Sequence, residues 1–149
     1  MPDLPYANAT AGQASASDDM RRICHAFGCT KFGAWEDFGA GTVTVQFEYR
    51  GRPVQVTASA KGYAAAWLRA NPWNSRRQSS DAEWQRKAYA QGQIAVWSIL
   101  RDWIKGQITA VETGILSFEG AFLGQMLLPT GETVLERVQT TNLLPPPKE

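Results

Sequence analysis

Three residues near the N-terminus, Cys24, His25 and Cys29, are of the types that bind zinc or act as a nucleophile and its base. Structural zinc sites use four ligands, with two to four residues between paired cysteines. Here four residues separate the cysteines, and the chain has no other cysteine or histidine to complete the set. Neighbouring helical residues also point about 100° apart, which separates a Cys24 nucleophile from a His25 base. We therefore expect no metal site, a buried Cys24 and a surface His25.

Two carboxylates on predicted strands form a second constellation. Asp37, with Glu48 and Arg50, is weakly similar to the metal-binding carboxylates of hairpin-based nucleases. Such sites usually carry a lysine where Arg50 stands, and arginine cannot lose its proton to act as a base. We interpret Glu48 and Arg50 as a solvated charge pair on the polar face of a strand. Gly39-Ala40-Gly41 is predicted to be a turn between strands, since phosphate-binding glycine loops lead into a helix. No catalytic residue and no cofactor are predicted, and we expect a protein that is not an enzyme.

The third constellation is the basic, tryptophan-rich middle of the chain. Residues 61–106 hold eight basic residues and three acidic ones, although the net charge of the whole chain is only +1. The same segment holds five of the six tryptophans. Nucleic-acid binding needs cations for phosphates and, for single strands, aromatic faces for bases. This segment is therefore the candidate binding region.

Within this region the helical pattern separates core residues from candidate surface residues. Trp67, Trp84 and Trp103 fall on apolar faces and are expected in the core. Trp97 falls with Arg101 and Lys105 on the outward side of the main helix, where it can stack on a base, contact a partner protein or lie beneath the first helix. The candidate surface for nucleic acid or a protein partner comprises Trp73, Arg76, Arg77, Arg86, Lys87, Trp97, Arg101 and Lys105.

Alternating apolar and polar residues predict the strands. In TVTVQFEYR every second residue from Val43 onward is apolar, which predicts a strand with one apolar face. A tight turn at Arg50-Gly51 leads into a second alternating strand, and Pro53 stands near its start because proline cannot donate to a ladder. Upstream, KFGAWEDF predicts a first strand. The three strands predict an antiparallel meander.

Helices are predicted before and after this meander along the chain. Ser17 is expected to cap a first helix that Gly28 closes, and KGYAAAWLRA forms a helix that ends at Asn71-Pro72. Ser80-Asp81-Ala82-Glu83 matches a capping box, and the apolar stripe after it predicts one long helix that reaches Gly114. Ser117 is expected to cap another short helix, FEGAFLGQML. We predict an α+β fold: an N-terminal helix and a three-stranded antiparallel meander packed against a helical C-terminal half with one long helix. The strand residues Val43, Val45, Phe47, Val54 and Val56 are expected beneath Trp84, Val96, Ile99, Leu100 and Trp103.

Length and composition predict a single domain. The chain has 149 residues, of which 44% are hydrophobic and 19% charged, enough apolar surface for a core. Residues 1–16 are predicted to be a flexible arm, 17–141 the domain and 142–149 a disordered proline-rich tail. The sequence shows neither a secretory signal nor a membrane-spanning stretch, so we expect a cytoplasmic protein without a membrane partner.

Three stretches distributed along nearly the whole chain are the opening MPDLPYANAT, the hairpin FEYRGRPVQVTASAKGYAAAWLRANPW and the run AVWSILRDWIKGQITAVETGILSFEGAFLGQMLLPTGETVLERV. They resemble an uncharacterised family of small proteins encoded in bacterial prophages; SILRDW and VETGILSFE are the most specific phrases. The resemblance implies a phage accessory protein that works in the host cell, and it assigns no functional residues. We expect binding of nucleic acid in phage DNA transactions or, alternatively, of a host protein complex that is inhibited or redirected, as in anti-defence. The oligomeric state is left open.

Overall fold

The computed structural model describes residues 4–148 and contains a three-stranded antiparallel sheet and five α-helices in that range. The elements are α1 (Gln13–Phe27), β1 (Lys31–Asp37), β2 (Thr42–Tyr49), β3 (Arg52–Ser59), α2 (Ala60–Ala70), α3 (Asp81–Glu112), α4 (Phe118–Phe122), a 3-10 turn (Leu123–Gln125) and α5 (Val134–Thr140). The strands lie in the order β1-β2-β3. The predicted α+β fold and meander are confirmed.

The sheet follows the predicted alternation with one exception. Arg50 and Gly51 form the two-residue turn between β2 and β3 with φ of 50° and 75°, the left-handed geometry that tight hairpins need. Val45 and Phe47 point into the core, as expected. Thr44 lies on the opposite face and is nevertheless buried, and its hydroxyl is within hydrogen-bond distance, 3.0 Å, of that of Thr57 on β3. The outer face of the sheet is therefore partly closed by its own side chains.

The inner face of the sheet packs against α3, and α3 also packs against α1 and α2. The main core joins the inner residues of β2 and β3 to residues 96–108 of α3 and to α1 and α4. Trp84 was expected above the strands, but it belongs to a second, smaller cluster with Trp67. Ile99 and Trp103 are only half-buried. Within residues 4–148 no helix is both long and apolar enough to cross a membrane.

The N-terminal segment differs from the prediction. α1 begins at Gln13 after the cap position Gly12, so the expected cap at Ser17 was wrong by five residues. The segment 4–12 lies along α2 and α3: the Tyr63 hydroxyl donates to Pro5 O at 2.6 Å, and the Gln91 amide donates to the Tyr6 and Ala9 carbonyls at 3.1 and 3.2 Å. The described part of the expected arm is thus attached to the helices, and residues 1–3 lie outside the described residues.

The helix boundaries in the C-terminal half follow the predicted caps. The Ser80 hydroxyl accepts from the Glu83 amide at 3.1 Å, as predicted. The reciprocal bond, in which the Ser80 amide would donate to the Glu83 carboxylate, does not occur within residues 4–148, so only half of the predicted capping box forms. Ser117 caps α4 in the same way, and Thr133 and Glu136 form a complete capping box at α5. Residues 142–148 form neither helix nor strand, and Glu149 lies outside the described residues. The disorder of this tail stays a prediction.

The backbones of α3 and α2 approach each other closely where α3 crosses the start of α2. A Cβ atom at Gly92 would lie 2.5 Å from the Ala60 carbonyl oxygen and 3.3 Å from the Ala64 amide nitrogen. Both are backbone atoms and cannot move aside as a side chain can. Glycine at position 92 therefore permits the two helix backbones to touch.

We expect Gly92→Ala to destabilise the protein by about 1–3 kcal/mol, because the added methyl group forces α2 and α3 apart. Gly106→Ala is the matched control: it lies in the same helix, and a Cβ there meets no atom within 4 Å. This control should stabilise the protein by about 0.5–1 kcal/mol through helix propensity alone. Chemical denaturation of both variants measures the two effects, and effects of the same sign would contradict the close approach.

Candidate nucleic-acid interface

The structure divides the predicted binding residues into two groups. Arg76 and Arg77 lie in the loop between α2 and α3, and Arg86 and Lys87 follow in the first two turns of α3. Arg69, in the last turn of α2, lies at the same end of the helix pair, although the sequence-based set did not include it. We call these five cations and Trp73 the basic end. Arg101 and Lys105 lie about 21 Å or more from Lys87 along α3, at 1.5 Å per residue, so the predicted residues do not form one surface.

The prediction that Trp97 faces outward was wrong. Its side chain is 1% exposed, and its indole nitrogen donates to the Glu36 carboxylate on β1 at 2.8 Å. The physical reason is that α3 is covered by α1 and α2 as well as by the sheet, so a residue off the predicted apolar stripe is also buried. Trp97 is a core residue in one cluster with residues of α1, so burial is the alternative that the structure supports.

The second group is also neutralised in part. The Arg101 guanidinium donates to Asp102 at 3.0 Å and lies 3.9 Å from an Asp19 oxygen on α1. The Tyr6 hydroxyl donates to the same Asp102 carboxylate at 2.5 Å, and this hydrogen bond, followed by Arg101, holds the pKa of Asp102 below its ordinary value. Lys105 remains exposed. Arg101 is therefore part of a network that joins α1, α3 and the N-terminal segment.

In the basic end, the loop and the helix start are held together around Trp84. The Arg77 guanidinium lies over the Trp84 ring at 4.0 Å from its centroid and donates to the Pro72 carbonyl at 3.2 Å. The Lys87 ammonium lies 5.0 Å from the same centroid, and the Trp84 indole donates to the Asn71 carbonyl at 2.7 Å. These contacts order the loop before any ligand binds.

Trp73 is the aromatic residue that the basic end presents to solvent. Its indole donates to the Ser79 carbonyl at 2.9 Å, which fixes the ring across the loop, and the side chain is 37% exposed. Trp84 and Trp67 are buried. Of the tryptophans in this cluster, Trp73 alone keeps a ring accessible enough to stack on a ligand.

The charges of the basic end lack close acidic partners. Among the described residues, no carboxylate lies within 4.0 Å of Arg69, Arg76, Arg77, Arg86 or Lys87, whereas the arginines of α1, β3 and α5 all form ion pairs. Asp81 and Glu83 lie in the first turn of α3, where they complement the helix dipole. The basic end therefore keeps an excess of positive charge.

A cavity of about 520 Å³ lies next to the basic end, between the N-terminal segment and the helix pair. Its lining combines the Lys87 side chain and the amides of Asn8, Asn71 and Gln91 with the edge of Trp67. The amide nitrogens of Asn71 and Gln91 already donate to backbone carbonyls. The cavity offers one cation and several acceptors, a mixed lining that selects no single ligand.

The other two constellations do not assemble into sites. Glu48 forms an ion pair with Lys31 at 3.3 Å, so the expected Glu48–Arg50 pair was wrong. Asp37 accepts from the Ala40 amide at 2.9 Å and lies about 20 Å from Glu48 along the strands, at 3.4 Å per residue. These carboxylates cannot share a metal ion.

The cysteine group does not assemble into a site either, because His25 points away from the two cysteines. Cys24 is buried while His25 is exposed, as expected, so the two side chains face different sides of α1. A hydrogen bond with Cys29 and burial both raise the pKa of the Cys24 thiol, which keeps it protonated and unreactive at neutral pH. Within residues 4–148 no group of three or more His, Cys, Asp and Glu side chains is placed to hold a metal ion. The absence of zinc stays a prediction.

We expect Arg77→Ala to lower the free energy of unfolding by about 1 kcal/mol, because it removes the cation–π contact with Trp84 and the packing of the side-chain stem. Arg76→Ala removes the same charge from the neighbouring exposed position and should change stability by less than about 0.5 kcal/mol. Thermal and chemical denaturation distinguish the two variants. Equal stabilities would show that the Arg77–Trp84 contact does not order the loop.

Comparisons with protein-family models, with curated proteins and with solved structures found no match to this chain. The resemblance to prophage-encoded proteins therefore stays an expectation based on the sequence. An argument about function has to start from the geometry of the basic end.

Proposed function

We propose that this protein is a non-enzymatic accessory protein of a phage or related mobile element and that it binds nucleic acid through the basic end. The observation that carries this proposal is the set of five cations without a carboxylate within 4.0 Å among the described residues. Elsewhere most arginines are paired. Unpaired cations gathered at one end favour a ligand that supplies several anions in a row.

Nucleic acid is such a ligand, since its backbone carries one phosphate per nucleotide. The first turn of α3 adds backbone N–H groups and the positive end of the helix dipole, both of which favour a phosphate. Ser80 occupies the Glu83 amide, so the cap leaves the other amides of this turn as donors. Asp81 and Glu83 also lie in this turn, so the side-chain cations provide the main attraction for a phosphate.

The contacts that the basic end offers are mainly contacts to phosphate. Trp73 supplies one aromatic face for an unpaired base, whereas the neighbouring tryptophans are buried. We therefore infer binding with little sequence preference and a steep dependence on salt.

The test is a salt titration of the affinity for a labelled single-stranded DNA and for a labelled duplex. We expect the double variant Arg76→Ala/Arg86→Ala to weaken binding of all sequences and to reduce the slope of log K against log [salt] by about 1.4 for the single strand and 1.8 for the duplex. Neither arginine makes a salt bridge within residues 4–148, so the fold should be unaffected.

The control is Arg21→Ala/Arg22→Ala, which removes the same charge from exposed positions on α1 that are paired with Asp18 and Asp19. α1 contacts α3 at Arg101, about 22 Å from Arg86 along the helix. This control should leave the salt slope unchanged. If both double variants lose the same affinity and the same salt slope, binding depends only on the net charge of the protein. That result would overturn the proposal that the basic end is the site.

A second candidate function is binding of a host protein that is inhibited or redirected. The observation that favours it is a pair of adjacent apolar side chains after the C-terminal end of α3: Ile115 is 75% and Leu116 40% exposed. An apolar contact there would respond weakly to salt. Capture from host lysate with and without nuclease treatment, using Ile115→Ser/Leu116→Ser as the variant, separates this function from nucleic-acid binding.

A further inference from the structure

Of the two outer edges of the sheet, the β3 edge pairs with another segment of the chain, and the β1 edge does not within residues 4–148. On the β3 side, Val54 pairs with Met126, and the Leu127 amide donates to the Pro53 carbonyl at 2.9 Å. On the β1 side, no segment of residues 4–148 pairs with the strand. β1 therefore presents a full row of backbone donors and acceptors, a template for another strand.

The register shows which backbone groups face this open edge. A two-residue turn closes on a hydrogen-bonded pair, here Tyr49 with Arg52, and the bonding direction alternates along each strand. The residues of β2 that bond to β1 are therefore the even-numbered ones. Their partners on β1 are Lys31, Gly33, Trp35 and Asp37. The N–H and C=O groups of the alternate residues, Phe32, Ala34 and Glu36, consequently point toward the open edge.

The sequence of β1, KFGAWED, is complementary to itself when read in the opposite direction. If a second antiparallel copy is centred on Ala34, the positive Lys31 stands opposite the negative Asp37 at both ends. Gly33 stands opposite Trp35, also twice. Phe32 stands opposite Glu36, and no pair joins like charges.

We propose that two copies of this chain associate along β1 about a two-fold axis at Ala34, forming one continuous six-stranded sheet. The groups that face the open edge then form the hydrogen-bonded pairs Ala34–Ala34 and Phe32–Glu36. The outer-face pairs are the non-hydrogen-bonded ones, in which side chains lie closest and cross-strand contacts are strongest. Those are the pairs of Lys31 with Asp37 and of Gly33 with Trp35.

The exposure of the aromatic residues at this edge agrees with a missing partner. Trp35 is 46% exposed on the outer face, and Phe38, directly after β1, is 76% exposed. In the paired sheet each Trp35 ring covers the bare backbone of Gly33 in the second copy, an arrangement that compensates for glycine at an edge. Phe38 then lies opposite Thr30 of the second copy.

The charges select this register over its neighbours. A shift that keeps the inner faces of both copies on one side moves the centre to Gly33 or to Trp35. The first places Lys31 opposite Trp35, the second places Asp37 opposite Gly33, and each loses the pairing of opposite charges. Only the register centred on Ala34 pairs all seven residues of the strand, and the isologous geometry lets it close as a dimer.

The experiment measures the mass of the full chain by sedimentation velocity from submicromolar to submillimolar concentrations. The wild-type protein should approach twice the mass of one chain as concentration rises. Ala34→Pro should remain a monomer with unchanged circular dichroism, because the lost N–H points away from β2 and proline is tolerated at such edge positions. A wild-type protein that stays monomeric throughout, or an Ala34→Pro variant that still dimerises, would overturn the proposal.

A charge-reversal pair tests the register and does not depend on the proline variant. Lys31→Asp and Asp37→Lys should each dimerise more weakly than the wild-type protein, since like charges then oppose each other at both ends. An equimolar mixture should form a mixed dimer, because each end then pairs an aspartate with a lysine. The double variant Lys31→Asp/Asp37→Lys should dimerise by itself. With both single variants folded by circular dichroism, failure of the mixture to pair would exclude the register centred on Ala34.

Discussion

The contact between Gly92 and the Ala60 carbonyl determines how the helical half is arranged. Because the two backbones touch at the start of α2, α2 and α3 run antiparallel and stay close as far as the Trp67–Trp84 pair, whose ring centroids lie 5.0 Å apart. The loop between the helices is thereby confined to one end of the molecule. The cations of α2, the loop and α3 gather there because the last turn of α2, the loop and the first turns of α3 all lie at that end.

The arrangement of the helices also determines which cations lie next to carboxylates. Where helices meet over longer surfaces, arginines lie next to carboxylates, as Arg101 does between Asp102 and Asp19. At the end of the helix pair no carboxylate of residues 4–148 lies within 4.0 Å of the cations, and a tryptophan face takes its place. Arg77 and Lys87 lie over Trp84, and a cation held against an aromatic ring keeps its full charge. The basic end is therefore both ordered and positively charged.

The strands, the Arg50–Gly51 turn and the caps at Ser80 and Ser117 could be predicted from the sequence because each depends on residues close along the chain. Trp97 could not. A helical stripe identifies one buried face, and the sequence gives no sign that α3 is covered by α1 and α2 as well as by the sheet. The start of α1 was missed for a related reason. Ser17 and two aspartates look like a cap, yet Gly12 precedes the helix and Ala16 packs in the core.

For the candidate site, the loop arginines could be predicted from the sequence, whereas their separation from Arg101 depends on tertiary structure.

Charge contributes differently to nucleic-acid binding and to dimerisation, so the two equilibria should differ in their dependence on salt. Binding at the basic end displaces counterions from phosphates, so its affinity falls steeply as salt rises. Pairing along β1 depends mainly on backbone hydrogen bonds and on the Trp35 ring, while the exposed Lys31–Asp37 pairs contribute about 0–1 kcal/mol each and chiefly set the register. A dimer would therefore persist at salt concentrations that release nucleic acid. Below those concentrations it would carry two basic ends, and the second end would bind a long strand as an intramolecular event at raised effective concentration. Dimerisation then raises affinity for long nucleic acids more than for short ones, without any new contact to a phosphate.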